Sequence, residues 1–212
     1  MTQNDVLLGS KLSTISGVLG VLGSFLSVAT NLIGIIVVEQ HNPISETISM
    51  LAIGEYAWLQ DFGLDALALG LAAIAVALIR WNLGGLEWQA GATLVMLLSL
   101  DILLIAEHNQ YVGREGVGAA IHIYCVYALG LLVALMTWFL SRGLGKVGRG
   151  WRRFSRTISL VWTVFGPIFF FVPDGWNGAY ERFVALILLT WVVAVSWLLI
   201  RHGDRARSEV AT

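Results

Sequence analysis

Residues 56–79 read YAWLQDFGLDALALGLAAIAVALI, and the only charges in them are Asp61 and Asp65. A bilayer core of about 30 Å is crossed by roughly 20 apolar residues in a helix, so this stretch predicts a transmembrane helix. It is continuous and lacks the apolar–polar alternation of a membrane β-strand. Working outward, five more stretches meet the same criterion: 12–38, 88–107, 117–140, 154–172 and 179–200. The predicted fold class is therefore all-α: a polytopic bundle of six transmembrane helices with short loops, forming one domain over residues 1–212.

Composition agrees. Of 212 residues, 57% are hydrophobic and 13% charged, against about 25% charged in soluble domains, and mean hydropathy is +0.77. These values argue against a soluble enzyme, a disordered chain or a nucleic-acid-binding domain. A single cysteine, Cys125, precludes an intrachain disulfide. The first apolar run is too long for a secretory leader and lacks a cleavage pattern after it, so it reads as a retained helix.

Connections are brief, and Pro and Gly punctuate them, as in PDGWNG at 173–178. One connection has a pattern of its own. Asn42-Pro43 suits a helix start, and Ile44, Ile48, Leu51 and Ala52 recur at helical spacing. That predicts a short amphipathic helix over about 43–53, lying on the membrane surface.

Orientation follows from Lys and Arg. Six helices put both termini on one side, together with Lys11, Arg80, the basic fourth-to-fifth connection (Arg142, Lys146, Arg149, Arg152, Arg153, Arg156), Arg201, Arg205 and Arg207. Only Arg114 and Arg182 of the 13 basic residues fall on the other side. Both termini are expected in the cytoplasm, in a cell membrane of the bacterial inner-membrane type. The basic connection reads as a topology signal, with binding of anionic headgroups as the alternative.

Ionisable residues enter the spans from the outer side: Asp61 and Asp65 on the second helix, Asp101, Glu107 and His108 on the third, His122 on the fourth, and Arg182 at the start of the sixth. At 1.5 Å per residue, Asp65 and Asp101 each lie about 5 Å outward of their helix midpoints. A carboxylate at such depth costs about 2.5–3.5 kcal/mol on insertion scales and normally faces a cavity or the bundle interior. These residues, with Asn31 on the first helix, are the expected lining of an outer-half polar pocket; a hydrogen-bonded network that fixes helix register is the alternative. No His-x-x-x-His or His-Glu-x-x-His pair occurs, so no metal is expected, and no cofactor. Cys125 reads as a small buried residue. Gly20, Ser24, Ser27, Asn31 and Gly34 share one face of the first helix and suit close helix packing. Nine tryptophans suit interfacial anchors and packing.

Several blocks together resemble a known family: Asn42-Pro43-Ile44-Ser45-Glu46 with Ile48-Ser49-Met50-Leu51, then Gly54 followed by Trp58-Leu59, Gly63 and Gly70, then Gly118 and His122, and finally Gly178, Glu181-Arg182 and Trp191. This order is similar to the six-helix membrane family known as domain of unknown function 998, over about residues 12–201. The family's frequent Asp before the His-bearing helix is replaced here by Glu107-His108-Asn109. The resemblance implies the fold and topology and supplies no reaction.

Three functions fit. The first is a binding or accessory protein that holds a lipid or other small amphiphile in the outer pocket or packs against subunits of a membrane complex. The second is a membrane-embedded hydrolase or transferase acting on lipids, using His122 with Asp61, Asp65 or Asp101. The third is a proton-linked transporter, against which stands the absence of a convincing repeat. Membrane lipids are the expected partners, with no nucleic acid.

Overall fold

A computed structural model describes residues 3–211. The described chain is helical, with six long helices: α1 Gln3–Val37, α2 Ala57–Trp81, α3 Gly85–His108, α4 Val117–Val147, α5 Arg149–Ile168 and α6 Asn177–Ala211. Each of the six is long and apolar enough to cross a membrane. No strand occurs among the described residues.

Helices α1, α4 and α6 run well beyond the apolar stretches that announce them. The stretch expected as a basic connection between α4 and α5 is helical almost throughout, broken only at Gly148. Lys and Arg are good helix formers; hydropathy marks where the apolar solvent ends, and the helix continues past that point. The extensions of α1 and α6 lie together: Ser10 Oγ donates to the Gly203 carbonyl at 2.5 Å and Arg207 Nη2 to Thr14 Oγ1 at 2.9 Å. Both ends of the described chain therefore lie at one end of the bundle. The connections 38–56, 109–116 and 172–176 lie at the opposite end, called here the loop end.

Neighbouring helices pack in the order α6–α1–α2–α3–α4–α5, and the ring closes only loosely between α5 and α6. Small residues allow the close α1 contacts: a Cβ on Gly20 would overlap Ser196 of α6 and Ile74 of α2, so the backbones meet where lipid tails offer no hydrophobic drive for association. Away from the loop end the core is tight. Trp88 and Trp191 are fully buried. Trp88 Nε1 donates to the Leu78 carbonyl at 2.7 Å, and Trp191 Nε1 donates to Ser155 Oγ at 3.1 Å, whose hydroxyl donates to the Thr137 carbonyl at 2.6 Å. These bonds fasten α4, α5 and α6 at that level, below the point where α5 and α6 part.

The surface helix expected over 43–53 is replaced by turns and a short 3-10 helix, Ile48–Ala52. Asn42 Oδ1 accepts the amide of Ile44 at 3.0 Å, as an N-cap does, and the Glu46 amide bonds to the Asn42 carbonyl at 2.8 Å, but this single turn is not continued. The segment does not lie flat: Ser49, Leu51 and Ala52 are buried, and Leu51 reaches the backbone of α1 at Gly34.

Candidate functional site

Arg182 organises the loop end. It stands one turn into α6, and its Nη1 donates to the carbonyls of Pro43 (3.0 Å), Glu46 (2.9 Å) and Gly178 (3.0 Å). Nε donates to Asn31 Oδ1 at 3.2 Å and Nη2 to His41 Nε2 at 3.1 Å. Asn31 Nδ2 in turn donates to Gln60 Oε1 at 3.2 Å, and Gln60 is buried. One guanidinium thus ties α6 to the 41–46 loop and, through Asn31, to α1 and α2. The planar, multiply donating fork is what makes this possible.

The same loop is held from both sides. Glu181 Oε2 accepts the amide of Ile48 at 2.5 Å, and Ala179 donates its amide to the Ile44 carbonyl at 2.9 Å. Gly178 must lack a side chain, because a Cβ there would overlap the Glu46 and Pro43 carbonyls. Glu46 Oε2 accepts the Asn42 amide at 2.9 Å and lies 3.0 Å from His41 Nδ1.

The two partners of His41 assign its tautomer: Nδ1–H donates to Glu46, leaving the Nε2 lone pair to accept from Arg182. Burial lowers the His41 pKa; Glu46 partly opposes this and the Arg182 charge reinforces it. A folded-state value below the unfolded 6.5 means that the unfolded chain binds more protons in that window. The contribution to stability is complete above pH 6.5 and is lost as pH falls from there towards the folded value. Melting temperature should therefore drop on going from pH 7.5 to 5.5, and His41→Gln should flatten that dependence. An unchanged dependence in the variant would remove His41 from the hub.

Beside this hub lies a cavity of about 650 Å³. Its wall is overwhelmingly apolar, from Leu64, Leu67, Ile102, Leu129, Trp162, Val184, Leu188 and neighbours, and it includes Asn31, Ser49, Gln60, Glu181 and Arg182. These five come from the last two turns of α1, the 3-10 helix and the first turns of α2 and α6, so they gather at the loop end. Leu32, Leu131 and Leu186 belong to the wall yet are more than half exposed, which makes the cavity a cleft open to the bundle surface. It exists because α5 and α6 diverge. Above the Ser155–Trp191 bond, Trp162 Nε1 and Ser159 Oγ donate to carbonyls of α4 and hold this part of α5 against α4, away from α6.

Of the eight residues expected to line one pocket, Asn31 and Arg182 line this cavity. Asp101 and His122 are buried in a neighbouring cluster between α3, α4 and the 3-10 helix. There Cys125 is buried as well, and His122 Nε2 lies 3.5 Å from Ser49 Oγ. Asp61 accepts from Asn109 Nδ2 at 3.2 Å. Asp101 Oδ2, His122 Nδ1 and Asn109 Oδ1 are buried without a partner among the described residues. Asp65 and Glu107 are exposed, and His108 is half-buried with Nδ1 2.8 Å from the Leu104 carbonyl. Asp65 and Asp101 are thus not assembled into a pair: one faces outward and the other inward. Helical spacing fixes depth but fixes azimuth only once the neighbouring helix is known. Gln60, Glu181, Ser49 and His41 enter as site residues outside the eight expected, although Ser49 and Glu181 stand in the blocks quoted for the family resemblance. No group of three or more metal-ligating side chains occurs among the described residues.

No curated protein and no solved structure matches the chain. One family does, described as "Protein of unknown function (DUF998)", over residues 21–198. That match takes in every residue named for the hub and the cavity, and the chain is a member of the DUF998 membrane family.

Proposed function

We propose that the protein binds a membrane amphiphile, with its hydrocarbon portion in the cavity between α5 and α6 and its polar end at Asn31, Ser49, Gln60, Glu181 and Arg182. The observation that carries this reading is the cavity itself: about 650 Å³, apolar along its length and polar at one end. That size falls within the usual 300–1,000 Å³ of small-molecule sites. Its opening on the bundle surface gives lateral entry from lipid. Native mass spectrometry after mild detergent extraction tests the reading. The expected result is a co-purified species of lipid mass that survives delipidating washes; bare protein under lipid-retaining conditions would count against it.

Within this reading the loop end faces outside the cell, on the strength of the Lys and Arg distribution. Cysteine at the exposed Glu115 should react with an impermeant maleimide in intact cells, and cysteine at the exposed Gly150 should not. The reverse pattern inverts the orientation. A second reading, as an accessory subunit, draws on the exposed Asp65 and Glu107 within spans, since lipid-facing carboxylates are costly and a neighbouring protein would shelter them.

A further inference from the structure

We propose that Ser49 and His122 form a nucleophile–base pair that transfers the acyl group of an ester-linked lipid held in the cavity; this rests on the amphiphile-binding reading above. Ser49 is the one residue that belongs to both polar clusters. It lines the cavity at the polar end, and behind it His122 Nε2 lies 3.5 Å from its Oγ. That separation is on the loose side of a hydrogen bond, as such pairs are in the absence of substrate. His122 is 8% exposed and does not line the cavity, so a substrate oxygen meets its Nε2 only on the side where Ser49 Oγ stands. A buried imidazole within hydrogen-bond reach of a hydroxyl at the head of an apolar cavity supplies the general base that serine activation needs.

The setting of His122 supports the assignment. Its Nδ1 is buried with no partner among the described residues, and so is Asp101 Oδ2 on the neighbouring helix. Unpaired buried polar atoms cost roughly 1–3 kcal/mol each, and a network serving only helix register would pair them. The tautomer the pair requires has Nε2 unprotonated, facing the Ser49 hydroxyl.

The reaction balances without a cofactor. Ser49 Oγ attacks the ester carbonyl carbon while His122 Nε2 takes the hydroxyl proton. The carbonyl re-forms as the bond to the alkoxy oxygen breaks, and His122 returns the proton to that oxygen, releasing an alcohol and leaving acyl-Ser49. Water or a second alcohol, deprotonated by His122, attacks the acyl carbon and regenerates Ser49. A free fatty acid as product identifies water as the acceptor, and a new ester identifies an alcohol.

The test uses the full-length protein in nanodiscs, a hexadecyl fluorophosphonate probe and peptide mapping. The expected result is one adduct, on Ser49, absent from Ser49→Ala. No adduct on the wild-type protein, or an adduct elsewhere, overturns the proposal with no dependence on how any variant folds. The adduct should form at least about 100-fold more slowly in His122→Gln and His122→Asn, the usual scale of a general base; an undiminished rate in a variant that keeps its melting transition also overturns it. Native mass spectrometry of the same wild-type sample separates the two readings. Bound amphiphile without an adduct refutes the acyl transfer alone, whereas neither amphiphile nor adduct refutes both.

Discussion

Arg182→Ala should lower the melting transition more than any other single substitution at the loop end, by about 3–5 kcal/mol if the transition is reversible. The guanidinium supplies bonds to three backbone carbonyls, Asn31 and His41. Hydrogen bonds to a charged group contribute about 1.5–3 kcal/mol each, and stranding buried acceptors adds to the loss. The sum is not additive, because the 41–49 segment will relax towards water and recover part of it. Arg182→Lys should restore less than half, since an ammonium cannot reproduce the planar fork. Limited proteolysis supplies the local readout: cleavage within residues 39–56 should rise sharply in Arg182→Ala and only moderately in Arg182→Lys. A melt within error of wild type, with an unaltered cleavage pattern, would show that Glu181, Gly178 and Ala179 hold the loop without the arginine.

The chain's solvent-scale features were legible in its sequence, and its side-chain geometry was legible only in part. Six apolar runs suffice for six helices, because a backbone in hydrocarbon has to satisfy its own polar groups. The same logic says nothing about where a helix stops once it leaves the membrane, which is why α4 and α5 meet at Gly148 where a basic connection was expected. Residues 42–53 mislead for another reason. Their helical spacing is real, but Arg182 and Glu181, more than 130 positions later, take the carbonyls and the amide that a helix would have used for itself. Asn31 and Arg182 were identifiable as polar residues in apolar surroundings. Ser49 carries no such signal, because a serine near a turn is ordinary until its neighbours in space are known.

Filling the cavity should separate binding from stability. Gly130 lines the cavity from α4, and a Cβ there would meet nothing within 4 Å. Gly130→Phe places a ring in that open space, and Ala185→Phe brings one into the lining from α6. Glycine inside a helix costs roughly 0.5–1 kcal/mol relative to alanine, so Gly130→Ala should raise stability slightly while leaving the cavity almost as large. Gly130→Phe should keep that gain, because the ring takes up empty volume and displaces no packed side chain. Bound amphiphile, measured by native mass spectrometry, should fall at least about tenfold in Gly130→Phe and Ala185→Phe and remain near the wild-type level in Gly130→Ala. A tenfold loss corresponds to about 1.4 kcal/mol, a modest demand for a ring occupying the site of a hydrocarbon chain. Opposite movements of the two readouts cannot come from general misfolding, which would lower both. Full retention of the amphiphile in both phenylalanine variants would place it on the outer surface of the bundle, where the exposed carboxylates of α2 and α3 would become the features to explain.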